Sequence, residues 1–135
     1  MTITVYGTPA PQGSKAFKGF TKSGRAIMIE SSKKVKPWRE AVVWAVRDVW
    51  GGKPPITRAV RVYMGFMLAR PKSLPKRVTF HTKRPDLDKL VRATFDGIVQ
   101  AGWIKDDSQI HSLCAEKFYT IGAPLAQITV TETEG

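Results

Sequence analysis

From Val35 onward, apolar side chains recur every three or four positions: Val35, Trp38, Ala41, Val42, Ala45, Val46, Val49 and Trp50, with Arg39, Glu40, Arg47 and Asp48 falling between them. That period predicts an amphipathic helix over 35–50, closed by Gly51-Gly52 and carrying Pro37 in its first turn, where a missing N–H costs little. A second helix is predicted over 87–101, with Leu87, Leu90, Val91, Thr94, Phe95 and Ile98 as its stripe and Ala101-Gly102 as its end. Elsewhere the period is two. Thr2 to Tyr6 reads as a first strand, and Val60, Val62, Met64, Phe66 and Leu68 share one face of another. Two apolar runs around Lys22-Ser23-Gly24 predict a hairpin over 16–30. Residues 78–82 predict a brief strand, and 110–120 with 125–132 predict a closing hairpin. Strands interleaved with two helices give an α+β class: a single compact domain over 1–135, with a mixed sheet of about four to six strands packed with two main helices.

Composition narrows the class of partner. A chain of 135 residues with 42% hydrophobic positions suits one domain with a real core. Lys and Arg number 22 against 11 Asp and Glu, a formal net charge of +11, and the usual partner for that balance is nucleic acid. Membrane binding would call for a lipidation signal, and neither a C-terminal Cys box nor Gly at position 2 is present. No apolar run approaches the roughly 18 residues of a membrane span, and the N-terminus lacks the pattern of a signal peptide. Cys114 is the only cysteine, so no intrachain disulfide forms, and a reducing, cytoplasmic setting is expected.

Against this basic background stands "KRPDLDKLVR", Lys83 to Arg92, with Asp86 and Asp88 one residue apart. Pro85 marks a helix boundary, so either aspartate can serve as an N-terminal cap or flank. As free groups, however, two carboxylates beside bound phosphates would repel the ligand that the other charges attract. A divalent cation removes that conflict, because Mg²⁺ takes one or two carboxylates together with waters and phosphate oxygens. Asp106-Asp107 lies beyond the second helix and supplies a third carboxylate if that helix runs antiparallel to its flanking strands. At roughly 100° per residue, Asp88, Arg92 and Asp96 form one stripe. That stripe is either a surface ion-pair ladder or a way of holding the Arg92 guanidinium beside a phosphate.

The stretch "RPDLDKLVRATFDGIVQAGWIKDDSQI", Arg84 to Ile110, resembles the signature of the RusA family of Holliday junction resolvases: D-L-D-N-L-x-K-x-x-x-D followed by D-D-x-x-[VI]. "YGTPAPQGSKAF" near the N-terminus resembles the family's G-x-P-x-P-K-G region, so the likeness covers nearly the whole chain. The resemblance implies a homodimeric, Mg²⁺-dependent endonuclease, with Mn²⁺ as a substitute ion and no small-molecule cofactor. Such enzymes cut four-way DNA junctions by paired phosphodiester hydrolysis in recombination and repair, and phages and prophages often encode them. Carried over by position, Asp86, Asp88 and Asp107 are the metal-holding catalytic acids, Arg92 is catalytic, and Asp96 and Asp106 have supporting roles. Arg92 stands where family members often carry lysine. Arginine does not readily give up a proton, so charge stabilisation is the role implied there. Lys89 replaces an asparagine and lies off the Asp88 stripe.

Candidates for phosphate contact are Lys15, Lys18, Lys22 and Arg25 in the hairpin, Lys33, Lys34 and Lys36 at the first helix, and Lys72, Lys76, Arg77, Lys83 and Arg84 ahead of the acids. Each is otherwise a solvated surface charge. Phe17 and Phe20 either stack on bases or fill the core. Trp38, Trp44, Trp50 and Trp103 are read as packing residues and Cys114 as a small buried hydrophobe. His81 and His111 lack a visible partner. Two other functions fit the same residues: a non-catalytic basic DNA-binding protein whose aspartates cap and pair, or a nuclease for other branched DNA.

Overall fold

The computed structural model describes residues 1–133 except 14, 21, 23–25 and 31–32, and gives only the backbone for 15–20 and 26–30. Six strands and two helices follow one another: β1 (Thr2–Tyr6), β2 (Lys15–Phe20), β3 (Ala26–Glu30), α1 (Val35–Trp50), β4 (Val60–Ala69), α2 (Leu87–Gln100), β5 (Ile110–Thr120) and β6 (Leu125–Glu132). The main sheet has the order β1-β6-β4-β5. It is mixed: β6 runs antiparallel to both β1 and β4, whereas β5 runs parallel to β4. β2 and β3 pair antiparallel as a separate ribbon, the expected hairpin, although most of its turn lies outside the described residues.

Periodicity places the helices well, because each apolar stripe needs a cover. Val35, Trp38, Val42 and Val46 of α1 and Leu90, Val91 and Ile98 of α2 are buried with Val5, Val62, Met64, Phe66, Ile128 and Val130 of the sheet in one core. Two contacts lock the helix pair. A Cβ at Gly97 would stand 2.8 Å from Val42 Cβ, so only glycine allows this approach. Fully buried Thr94 accepts a hydrogen bond from Trp38 Nε1 at 3.1 Å and donates to the Leu90 carbonyl at 2.8 Å. α2 stops at Gln100, one residue short of expectation, and Gly102 follows with φ +81, a left-handed conformation that glycine adopts without steric cost.

Four expectations are corrected. β5 and β6 do not form a hairpin; β6 lies between β1 and β4, while β5 takes the edge. Burial explains the order, since Ala126, Ile128 and Val130 need neighbours on both sides. The segment 78–82 contributes only a single bridge, Phe80 to Phe118. Trp44 is 73% exposed rather than packed, because it stands on the solvent side of α1. Cys114 is exposed, because it lies on the edge strand. Trp38 and Trp103 are buried as expected, and Trp50 packs against the core with the Lys53 ammonium 4.8 Å from its ring.

Candidate active site

The path from β4 through α2 to β5 sets where each acid can stand. Parallel strands require a crossover, and α2 supplies it by running back along the sheet. Its N-terminus therefore lies at the end of the sheet where β4 and β5 finish, and its C-terminus at the end where they begin.

Asp86 occupies the N-cap position of α2, yet its carboxylate makes no capping bond. It is 56% exposed, and Lys89 Nζ lies 3.7 Å from its Oδ2 as an ion-pair neighbour. Asp88 sits exposed in the first turn. Both carboxylates thus face solvent at the positive end of the helix dipole. Together they supply oxygen donors of the kind Mg²⁺ takes, with room left for phosphate oxygens. Lys117 of β5 helps set this corner. Its ammonium donates to the carbonyls of Lys83 at 2.7 Å and Pro85 at 2.9 Å, and so holds the backbone immediately before Asp86. Lys117 pairs in register with buried Phe66. A lysine on the face of β5 that points toward the helices is the one signal of this role that the sequence carries.

An open cleft of about 660 Å³ adjoins Asp86, lined by residues of the 8–13 loop and by Lys33, Lys34, Arg84 and Lys89. Four cations beside one carboxylate make a groove suited to a phosphodiester chain. The loop is tied to α2 by Gln12 N–H, which donates to the Lys89 carbonyl at 2.9 Å. Nearby, Arg70 bonds the carbonyls of Val78 (2.5 Å) and Pro75, which folds the 71–78 loop back on itself, and its guanidinium lies 5.7 Å from the Tyr119 ring. Lys72, Lys76 and Arg77 on that loop are exposed, as are Lys22, Lys33, Lys34, Lys36, Lys83 and Arg84. The side chains of Lys15, Phe17, Lys18, Phe20 and Arg25 lie outside the described residues.

Arg92 and Asp96 follow Asp88 on the exposed side of α2. Among the described residues no ion pair links the three, so the ladder reading of the stripe gains no support. His81 lies 4.6 Å from the Tyr119 ring; burial, and then the charge of Lys117, lower its pKa from the ordinary 6.5.

Asp106 and Asp107 divide their work. Asp106 caps the short turn Asp107–Gln109: its carboxylate accepts from Ser108 Oγ at 2.5 Å, and its N–H donates to Gln109 Oε1 at 2.7 Å. The Ser108 bond is the main cause of the lowered Asp106 pKa. Gln109 in turn donates to the carbonyls of Ile56 and Arg58, which anchors the turn beside the start of β4. Asp107 is left exposed.

That anchor fixes the largest departure from expectation. α2 does run antiparallel to its flanking strands, but this carries Asp107 to the far end of the helix from Asp86 and Asp88. Lys117, beside Asp86, pairs with Phe66, whereas Gln109 sits level with the start of β4 near Val60. Six residues of strand separate those levels, on the order of 20 Å. Accordingly, among the described residues no three of His, Cys, Asp and Glu stand close enough to hold one metal ion.

Residues 7–131 match the family model described as Endodeoxyribonuclease RusA. No curated protein matches the chain.

Proposed function

This chain belongs to the RusA family of endodeoxyribonucleases, and from that premise we propose that it is a Mg²⁺-dependent resolvase of four-way DNA junctions, acting as a homodimer. The observation that carries the reading is the pair of solvent-facing carboxylates of Asp86 and Asp88 at the start of α2, with Asp86 lining a cleft that Lys33, Lys34, Arg84 and Lys89 also line.

Lys33, Lys34, Arg84 and Lys89 hold the backbone of one DNA arm in the cleft and direct a phosphate toward Asp86. Asp86 and Asp88 would hold Mg²⁺, which when bound would supply Lewis-acid polarisation of a phosphate and lower the pKa of a bound water. Arg92, one turn along α2 from Asp88, places a permanent positive charge against the equatorial oxygens as negative charge develops. Lys117 keeps the backbone before Asp86 in place. The products carry 5′-phosphate ends.

Asp107 completes the site from the second subunit. Within one chain it stands at the wrong end of α2, but a two-fold axis that reverses one subunit against the other exchanges the ends and brings the partner's Asp107 to this chain's Asp86 and Asp88. A four-way junction has approximate two-fold symmetry, so the same axis presents two sites to two strands and accounts for paired incision.

The test is cleavage of a synthetic four-way junction in Mg²⁺, with strand-by-strand mapping of nicks. Asp86→Asn, Asp88→Asn and Asp107→Asn should each abolish cleavage while junction binding persists. Cleavage at the wild-type rate in the triple variant would leave a DNA-binding module as the function.

A further inference from the structure

β1 forms the edge of the sheet opposite β5, and among the described residues it pairs only with β6. Alternation decides which of its backbone groups are free. Met1 exchanges hydrogen bonds with Val130, and Gly7 N–H donates to the Pro124 carbonyl, so in this antiparallel ladder the odd-numbered residues bond to β6. The N–H and C=O groups of Thr2, Thr4 and Tyr6 therefore point away from the sheet. Edge strands are normally blunted by charge, proline or a bulge, and "TITVY" has none of these.

A groove of about 530 Å³ runs beside this edge, with Ala41, Trp44, Ala45, Asp48 and Val49 of α1 as its opposite wall. A Cβ on Gly7 would lie 3.7 Å from Ala41 Cβ, so α1 enters the groove at the Tyr6 end and reaches Asp48 and Val49 at the Thr2 end. The lengths agree, since the helix from Ala41 to Asp48 and the strand from Tyr6 to Thr2 cover roughly 10 and 13 Å. Exposed Trp44 stands midway along the wall. Asp48 is the one charged residue of the lining in a chain of net charge +11, whereas the cleft beside Asp86 has four cations and one acid. The two concavities therefore suit different ligands: a phosphodiester chain finds no cation in this groove's lining, and a cation finds a carboxylate.

We propose that the groove between β1 and α1 is a docking site for an extended segment of a partner protein, which adds to β1 as a further strand of the main sheet. The free backbone groups of Thr2, Thr4 and Tyr6 call for an extended backbone as occupant, and antiparallel addition is the stabler pairing. In that register the residues opposite Val5 and Ile3 turn toward the helix layer, as Val5 and Ile3 themselves do, and meet Ala41, Trp44 and Ala45. Both are apolar. The residue opposite Met1 comes level with Asp48 and is Lys or Arg, with the Trp44 ring within its reach. The segment thus reads apolar-x-apolar-x-Lys/Arg. A second copy of this chain fits less well: its own Ile3 and Val5 are buried in its core, and its β1 carries no cation.

The probe is the peptide acetyl-Thr-Val-Thr-Val-Thr-Arg-Thr-amide, titrated into the ¹⁵N-labelled full-length protein and followed by NMR. The amide signals of Thr2, Thr4 and Tyr6 and the indole signal of Trp44 should shift, and exchange of those three amides with solvent should slow. A peptide N-methylated at the threonines opposite Thr2, Thr4 and Tyr6 should not bind. N-methylation at its valines, whose N–H groups point away from β1, should leave binding unchanged. Asp48→Lys, or glutamate in place of the peptide's arginine, should weaken binding roughly 3- to 30-fold. Trp44→Ala should remove binding with the fold intact, since Trp44 is exposed. Shifts confined to the cleft beside Asp86, equal binding of the two N-methylated peptides, or no saturable shift would each overturn the site. So would a Trp44→Ala chain that loses affinity for a four-way junction but not for the peptide, which would give the groove to DNA. The peptide titrations require neither Mg²⁺ nor cleavage, so the site stands or falls apart from the resolvase reading.

Discussion

Lys117 Nζ donates to the Pro85 carbonyl at 2.9 Å, and by that bond the last third of an edge strand positions the residue before Asp86. Removing the ammonium frees the carbonyls of Lys83 and Pro85 and loosens the corner that carries two acids. Lys117→Met should lower the cleavage rate by roughly 10- to 100-fold, as misplacement of reacting groups by about 1 Å does elsewhere. Junction affinity should change little. The check is single-turnover kinetics beside binding measurements, with Lys117→Arg recovering part of the rate.

The contact between Trp38 and Thr94 should govern stability more than chemistry. Thr94→Val keeps the shape but leaves a buried indole N–H without its acceptor, at a cost of about 1–3 kcal/mol. Urea denaturation should show a lower midpoint with an unchanged slope.

At Gly97 steric contact opposes helix propensity. Alanine gains up to about 1 kcal/mol in a helix interior. Its Cβ would meet the Val42 side chain at 2.7 Å, and that side chain is held in a fully buried site. Gly97→Ala should therefore lower the thermal midpoint, and Gly97→Val should lower it further.

These contacts also show what the sequence made legible. Both helices follow from stripes of Val, Trp and Leu, since only one face of each can be covered. The D-D pair was harder to divide: the Asp106 cap is visible only once Ser108 and Gln109 are seen turned back onto it. Strand order was hidden, because alternation tells which side chains face the core but not which strands are neighbours. Four residues between Thr120 and Leu125 suggest a hairpin, yet full burial of Ile128 on one strand and exposure of Leu113 on the other place β6 inside and β5 at the edge. The separation of Asp107 from Asp86 has the same origin. Sequence spacing gives the length of the intervening segment, whereas the parallel pairing of β4 and β5 decides which end of α2 the segment returns to.

His81 should make stability depend on pH. Its pKa is lowered in the folded chain, so below the ordinary value of 6.5 the unfolded chain binds more protons, and stability falls as pH falls through that value. Thermal melts of the wild type and His81→Phe between pH 5 and 7.5 should diverge, with the variant showing the smaller slope.

Grip on DNA by the cleft and loop lysines should be strongly salt-dependent. With about 6–10 phosphate contacts, affinity falls roughly 10³- to 10⁵-fold between 50 and 200 mM salt. A four-way junction should be bound more tightly than linear duplex across that range, and equal affinities would remove the junction as the preferred substrate.

The shared site is tested most directly by complementation. Asp86→Asn and Asp107→Asn chains, each inactive alone, are co-expressed with different tags and the mixed dimer is purified. In that dimer one site combines the intact Asp86 and Asp88 of one chain with the intact Asp107 of the other, so nicking of one junction strand in Mg²⁺ should return without paired incision. A mixed dimer as inactive as its parents would contradict a site divided between subunits.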